Sequence, residues 1–332
     1  MNSPQVKNSI RQCDLIVTEN CSLRCKICHI WKHHKPDELV SLEEYAGFLR
    51  SLRDFTGKDT QIQFVGGEPL LKKRITELIS LAAHQGFCTT MTTNGFLLDR
   101  EMADRLISSG LHTLGFSLES MTPGTHDFLR GVPGVHAKVM DALDYFASFS
   151  ASPVQLFIAS IITGANLDDT LELAEWVNAQ PRINFIYFQA VMQPFAMPGS
   201  DTWYEDESCR FLWPDPDKAA GVLDELSRRK KSGYKIANHA AQFEVFKTYF
   251  RQPQRFVKRT KCNLGYDSFT VLPDGNIFLC LALEPIGNIK TDHISQVWFS
   301  EKAQKVRTQI AQCTKNCKLM VNCFFEDENN EQ

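Results

Sequence analysis

Three thiols stand close together near the start of the chain, in Asn20-Cys21-Ser22-Leu23-Arg24-Cys25-Lys26-Ile27-Cys28. Thiolates are soft ligands suited to zinc and to iron-sulfur clusters. A closed structural zinc site takes four protein ligands, so this trio falls one short. A cubane cluster is ordinarily held by four thiolates; held by three, it keeps one iron open to a ligand from outside. A second set, Cys262, Cys280, Cys313, Cys317 and Cys323, lies near the other end, and the two sets account for eight of the eleven cysteines. Met1 to Gln12 is polar, unlike a secretory signal, and thiols in the cytoplasm are kept reduced. Metal binding therefore explains this cysteine content better than a disulfide framework. Cys13, Cys88 and Cys209 stand alone and read as small inert thiols, with Cys209 also a candidate hydrogen-atom donor.

Thiols can act together only if a scaffold presents them. Strand-like and helix-like segments alternate over the first 190 residues, as in βα units around a parallel sheet. Strands are expected at Asp14 to Thr18, Gln61 to Val65, Thr89 to Thr92, Thr113 to Ser117, Val154 to Ile162 and Asn184 to Val191. Helices are expected from a Ser41/Glu44 capping box to about Phe55, at Lys73 to His84, from Asp99 to Ser109, at His136 to Phe149, and from Asn166 to Asn178. Two more are expected at Lys218 to Lys231 and Ala240 to Phe250. Six repeats are fewer than a closed barrel needs, so the expected fold is α/β, a partial (β/α)6 TIM barrel, followed by a small cysteine-rich α+β domain. The expected division is 1–215 for the barrel, 216–258 for a helical connection and 259–332 for the cysteine-rich part, ending in an acidic tail from Glu326 to Gln332 expected to be disordered. The aperiodic stretch Met192 to Asp217 reads as a long connection near the site. Trp203 and Tyr204 within it, and Gln189 near the end of the sixth strand, are candidate pocket residues.

The cysteine trio follows the first strand, and polar or ligand-type residues follow the next three. Gly66-Gly67-Glu68-Pro69 would let backbone approach a ligand and offer a carboxylate to an ammonium group. Thr92-Thr93-Asn94-Gly95 and Ser117-Leu118-Glu119-Ser120 add hydroxyl, amide and carboxylate groups. The C-x3-C-x2-C spacing, with an apolar residue before its last cysteine, closely resembles the radical S-adenosylmethionine (SAM) superfamily, and the likeness runs over roughly residues 12 to 191. It implies a [4Fe-4S] cluster on Cys21, Cys25 and Cys28 whose open iron is chelated by SAM. It further implies that Gly66, Gly67 and Glu68 meet the SAM amino group, that Thr93, Asn94, Ser117 and Glu119 hydrogen-bond SAM, and that Arg130 meets its carboxylate. Ile27, and Ile161 or Ile162 on the fifth strand, are candidates to pack on the adenine. Taken singly, each of these has a plainer reading: a glycine turn, a cap, core packing, or a surface arginine at a helix end. The histidines His29, His33 and His34 and Trp31 read as solvated loop residues.

Cys262 and Cys280 frame a hairpin turning at Pro273-Asp274-Gly275-Asn276. The C-x12-G-x4-C pattern, then Gly287-Asn288-Ile289 and Val297-Trp298, resembles the SPASM and twitch domains of radical SAM enzymes. Five cysteines suit one four-ligand cluster, with Asp327 where a further cysteine would be expected. The likeness thus implies a shortened domain with one auxiliary [4Fe-4S] cluster on Cys262, Cys280 and two of Cys313, Cys317 and Cys323; a four-cysteine zinc ribbon remains the alternative.

A net charge of −3 gives no reason to expect nucleic acid or an anionic membrane as partner, and no apolar run is long enough to span a bilayer. The expected location is the cytoplasm. The resemblance implies an oxidoreductase that cleaves SAM to a 5'-deoxyadenosyl radical, taking its electron from a flavodoxin- or ferredoxin-like donor. The radical would remove hydrogen from a C–H of a small-molecule substrate in a net, dehydrogenase-like oxidation of the kind found in natural product biosynthesis. Two other readings stay open: a maturase that modifies a ribosomal peptide, and a non-catalytic zinc or redox scaffold.

Overall fold

The computed structural model describes residues 10–33, 36, 39–56, 59–149, 153–195, 197, 199–254, 262, 264–313 and 321–322. His34, Cys317, Cys323, Asp327 and the acidic tail lie outside them. Six parallel strands come first: β1 Gln12–Thr18, β2 Gln61–Gly66, β3 Cys88–Thr93, β4 Thr113–Ser117, β5 Gln155–Ile162 and β6 Ile183–Ala190. Helices α1 Leu42–Phe55, α2 Ile75–His84, α3 Arg100–Ser108, α4 Pro123–Arg130, α5 Val135–Ser148 and α6 Thr170–Ala179 connect them. α7 Pro216–Lys231 and α8 Ala240–Arg251 follow. The expected capping box opens α1: Ser41 Oγ accepts from the Glu44 N–H, and the Glu44 carboxylate accepts from the Ser41 N–H at 2.7 Å.

Among the described residues the strands form one sheet in the order β6-β5-β4-β3-β2-β1-β7-β8-β9, with β7 Ser268–Val271, β8 Asn276–Phe278 and β9 Gly287–Asn288. β6 and β1 are not neighbours in that order, so the barrel is open, as six repeats imply. The C-terminal hairpin extends the same sheet: β7 runs parallel to β1, with Gln12 opposite Ser268, and turns antiparallel into β8. α9 Ile294–Trp298 and α10 Glu301–Ala311 follow it.

An open edge strand must be covered or it invites unwanted pairing. Here two asparagine side chains mimic a neighbouring strand on β6. Asn238 accepts from the Phe188 N–H and donates to its carbonyl, both at 2.7 Å. Asn322 does the same for Ala190 at 2.7 and 2.9 Å, and its own carbonyl accepts from the Tyr187 hydroxyl. Asn322 is thereby tied to the far edge of the barrel. Among the described residues no helix is long and apolar enough to cross a membrane.

Two expectations shift in detail. Asn166 does not begin α6. Its side chain accepts from the Thr163 N–H and hydroxyl and donates to the Glu119 and Ile161 carbonyls, so it knots the β5 turn to the end of β4. Trp203 is 2% exposed, edge-on to Trp213 at 5.7 Å between ring centres, and belongs to an aromatic core rather than an open pocket. Tyr204 tilts against the same Trp213 ring at 4.5 Å. Gln189 lies half-buried near the end of β6.

Candidate functional site

Parallel strands all deliver their C-terminal ends to one side; Cys21, Cys25, Cys28, Gly66, Gly67, Glu68, Thr93, Asn94, Ser117, Glu119 and Ile161 sit there or on the turn that follows, and Arg130 comes from the end of α4. The cysteine loop leaves β1 and is held by backbone on two sides. The Glu68 and Gly67 N–H groups donate to the Asn20 and Thr18 carbonyls at 2.8 Å. Across the loop, the Lys26 and Arg24 N–H groups donate to the carbonyls of Leu129 and Arg130 at the end of α4, at 2.9 and 3.3 Å. The glycines of the second motif serve this junction. A Cβ on Gly67 would lie 2.1 Å from the Asn20 oxygen, and one on Gly66 would lie 2.1 Å from the Thr18 oxygen. The close approach read from these glycines is therefore made to the chain's own cysteine loop.

Glu68 is fully buried, and its carboxylate accepts from the Thr93 hydroxyl at 2.7 Å, the Asn94 N–H at 2.8 Å and the Leu70 N–H at 3.1 Å. Burial raises its pKa, and those hydrogen bonds oppose the rise. A carboxylate has about four lone-pair sites, so three protein donors leave little room for a ligand. Glu68 chiefly joins the ends of β2 and β3. The Asn94 amide in turn donates toward the Cys21 sulfur at 3.7 Å and the Ser22 hydroxyl at 3.5 Å.

Glu119, also fully buried, forms an ion pair with Arg130 and accepts from the Ile161 N–H at 2.6 Å and from the Ser160 hydroxyl. Burial raises its pKa while Arg130 holds it down. Arg130 is only 8% exposed, so it is no surface arginine. Its Nη1 lies 3.9 Å from the Cys25 sulfur, and its buried Nε–H has no acceptor among the described residues. Ser117 ends β4 half-buried, and Ile27 is buried in the cysteine loop itself.

The three thiols are free and mutually close enough to raise one another's pKa. Burial is the larger cause: it pushes Cys21 up to about 12 and Cys28 to about 11, and raises Cys25 against the pull of Arg130. Buried thiols without a cation stay protonated; thiolates need positive charge beside them. Among the described residues no three His, Cys, Asp or Glu side chains converge as ligands of a single ion. A cubane spreads its thiolates over separate corners, and the N–H donors from Asn94 and Arg130 suit the sulfurs of such a cluster. The Arg130 Nε–H suits an anionic group bound beside it. The residues present therefore fit an iron-sulfur cluster with a carboxylate-bearing ligand.

Several features here carry no signal in the sequence. α4 escapes notice because its eight residues begin Pro-Gly-Thr, and Asn166 looks like a cap. His126 on α4 is fully buried, and its Nδ1 accepts from the Glu119 N–H at 3.1 Å. Burial, then Arg130 on its own helix and His136 on α5, lower its pKa to about 2. The unfolded chain protonates this imidazole below about pH 6.5 and the folded chain does not, so this group costs stability as pH falls. Between pH 7.5 and 5.0 the loss attributable to His126 should be about 2 kcal/mol. A His126→Asn protein, which keeps an acceptor, should lose that much less over the same interval when urea midpoints are compared.

Of the C-terminal cysteines, Cys262, Cys280 and Cys313 are half-buried, and the first two pack against the core. Cys209 is fully buried with its sulfur 3.5 Å from that of Met197. His29 takes a left-handed backbone conformation (φ 63°) and packs edge-on to Trp31, while His33 is exposed.

Two family models match the chain: that of the radical SAM superfamily over residues 15–177, and that of the SPASM iron-sulfur cluster-binding domain over residues 262–323. A probable GTP 3',8-cyclase of Archaeoglobus fulgidus is 28% identical over 194 residues, which cover 58% of this chain and 64% of that protein. An AdoMet-dependent heme synthase of Nitratidesulfovibrio vulgaris is 30% identical over 174 residues, 50% of this chain and 46% of that one. The match thus spans about half to two thirds of the length of these relatives. In fold, the chain resembles Streptococcus suis SuiB bound to S-adenosylmethionine, with a TM-score of 0.69, 14% identity, and 97% and 77% of the two chains covered. It likewise resembles anSMEcpe with bound AdoMet and the Cp18Cys peptide, with a TM-score of 0.66, 16% identity, and coverage of 94% and 88%. The two models together take in well over half of the sequence: the chain belongs to the radical SAM superfamily and carries a C-terminal SPASM iron-sulfur domain.

Proposed function

We propose that this chain is an oxidoreductase that cleaves SAM reductively and takes hydrogen from a C–H bond of a small molecule. The observation that carries the SAM assignment is the buried Arg130 guanidinium, paired to Glu119, close to the Cys25 sulfur, and left with an unanswered Nε–H. When bound, the cluster and SAM supply an electron and a 5'-deoxyadenosyl radical. The chain's own contribution is placement. Cys21, Cys25 and Cys28 would hold the cluster; Arg130 would receive the SAM carboxylate; Asn94 and Arg130 would donate hydrogen bonds to the sulfurs. Glu119 fixes Arg130, and through the Ile161 N–H it fixes the β5 end where Ile161 would meet the adenine. Gly66, Gly67, Glu68 and Thr93 act one step back by locking the cysteine loop to β2 and β3, and Ser117 lines the β4 end.

One auxiliary [4Fe-4S] cluster on Cys262, Cys280 and two of Cys313, Cys317 and Cys323 would accept the second electron of a net oxidation. The relatives named as a GTP cyclase and a heme synthase favour a small-molecule substrate over a peptide. After anaerobic reconstitution, SAM and dithionite should yield 5'-deoxyadenosine, and any one of Cys21→Ala, Cys25→Ala or Cys28→Ala should reduce the yield to background. Two clusters imply about eight irons per chain, and the triple cysteine variant should retain about four. A colourless protein holding zinc at Cys21, Cys25 and Cys28 would overturn the reading, and peptide-dependent turnover would replace its substrate class.

A further inference from the structure

We propose that Arg307 is the buried counter-charge of the auxiliary cluster and holds its reduction potential up. The proposal rests on the reading of the C-terminal cysteines as ligands of an iron-sulfur cluster. Arg307 lies on the buried face of α10 and is 4% exposed. Its Nε–H donates to the Gly265 carbonyl at 2.7 Å and its Nη1–H to the Trp298 carbonyl at 2.8 Å. Its buried Nη2 has no acceptor among the described residues, and no carboxylate among them pairs with it. Arg130, buried to a similar degree, has Glu119 as its partner.

The guanidinium also lies 4.5 Å from the centre of the Trp298 ring. Carbonyls and a ring face orient a cation without cancelling its charge. Burial lowers the Arg307 pKa only to about 10, so the side chain stays charged at neutral pH. A buried charge left without an opposite one is costly. Arg307 therefore calls for an anion that no described side chain supplies. The buried Trp298 indole N–H lacks an acceptor among the described residues too, although such groups ordinarily find one.

Position identifies the anion. Gly265, which receives the Arg307 Nε–H, stands three residues after Cys262. A Cβ on Gly265 would lie 3.0 Å from the Leu279 Cβ and 3.2 Å from the Ile310 Cδ1. Leu279 directly precedes Cys280, and Ile310 stands three residues before Cys313. Cys262, Cys280 and Cys313 are thus each within three residues of one meeting point, and the guanidinium is hydrogen-bonded to it. Three residues of chain reach at most about 10 Å. At that distance inside protein, one unit charge shifts an equilibrium about tenfold. Reduction adds a negative charge to a cluster that its thiolates already make anionic, so a fixed cation favours the reduced form. A raised potential suits the acceptor of the second electron in the proposed oxidation.

The test is a redox titration, followed by electron paramagnetic resonance, of the reconstituted full chain carrying Cys21→Ala, Cys25→Ala and Cys28→Ala. Only the auxiliary cluster remains in that protein. Arg307→Gln removes the charge but keeps a hydrogen-bond donor. It should lower the ratio of reduced to oxidised cluster at any set potential about tenfold, which is about 59 mV for one electron. Arg307→Lys keeps the charge and alters the hydrogen bonds, and should shift that ratio by less than about threefold. Lys305→Gln, exposed on the same helix and screened by solvent, should shift it no more than that. Equal potentials in all of these proteins overturn the proposal. So does an equal fall in Arg307→Lys and Arg307→Gln, and so does loss of iron from both, because each outcome reduces the guanidinium to a staple of the Gly265 turn. A zinc site on thiolates is anionic as well, and zinc in the triple-cysteine protein would overturn the auxiliary-cluster reading and this proposal together. The SAM-cleaving reading is judged separately, by 5'-deoxyadenosine from the chain with all its cysteines.

Discussion

Arg130→Met should destabilise the fold by about 3–5 kcal/mol, the cost of leaving one member of a buried ion pair without the other. Glu119 is wholly shielded from solvent, and without Arg130 its charge would be met only by the Ile161 N–H and the Ser160 hydroxyl. The variant has one escape, which is to protonate Glu119. Burial already raises that pKa and Arg130 is the main influence opposing it, so removing Arg130 raises it further. A carboxyl whose folded pKa lies above its unfolded value gains stability as pH falls toward the unfolded value and loses it as pH rises. The deficit of Arg130→Met against the unaltered chain should therefore be largest near pH 8 and shrink toward pH 5. Adding Glu119→Gln removes the buried charge and should recover most of the stability at pH 8, yet neither variant should cleave SAM. Urea unfolding of the metal-free proteins, beside 5'-deoxyadenosine yield after reconstitution, separates the two roles. A single variant as stable as the double at pH 8 would mean that the pair is not buried as described.

Much of this site is legible in the chain because its chemistry is local. The spacing of Cys21, Cys25 and Cys28 places three thiols on one loop, and apolar alternation puts that loop at a strand end. Ser41 and Glu44 announce α1 by their own side chains. What stays hidden depends on partners distant in sequence. Nothing near Gly67 says that its missing side chain makes room for the Asn20 carbonyl, and nothing near Glu68 says that Thr93 and Asn94 will occupy its carboxylate. The pairing of β7 with β1 and the covering of β6 by Asn238 and Asn322 are long-range in the same way. Trp203 read as a pocket residue because its segment has no period, but irregular backbone can still bury an indole against Trp213.

One substitution made twice on α4 should give opposite signs. Gly124 lies in the first turn with nothing within 4 Å of where a Cβ would stand, so Gly124→Ala should stabilise, by up to about 1 kcal/mol from helix propensity. Gly131 caps the other end at φ 71°, and its Cβ would stand 2.1 Å from the Arg24 oxygen. An L side chain in that left-handed conformation costs about 1–2 kcal/mol. The collision adds about 1–3 kcal/mol more, because backbone cannot swing aside as a flexible side chain can. The strain also falls where it does most harm. Arg24 and Lys26 donate to the carbonyls of Arg130 and Leu129, so pushing Arg24 away from α4 loosens the segment between Cys21 and Cys28 and withdraws Cys25 from Arg130. Gly131→Ala should thus lower both the urea midpoint and the iron retained after desalting, while Gly124→Ala raises the first and leaves the second unchanged. Gly67→Ala, whose Cβ would press on the Asn20 carbonyl from the opposite side, should lose iron in the same way. If Gly131→Ala lost stability but kept its full iron content, the cysteine loop would hold its cluster geometry without α4, and the clamp described here would be a packing contact alone.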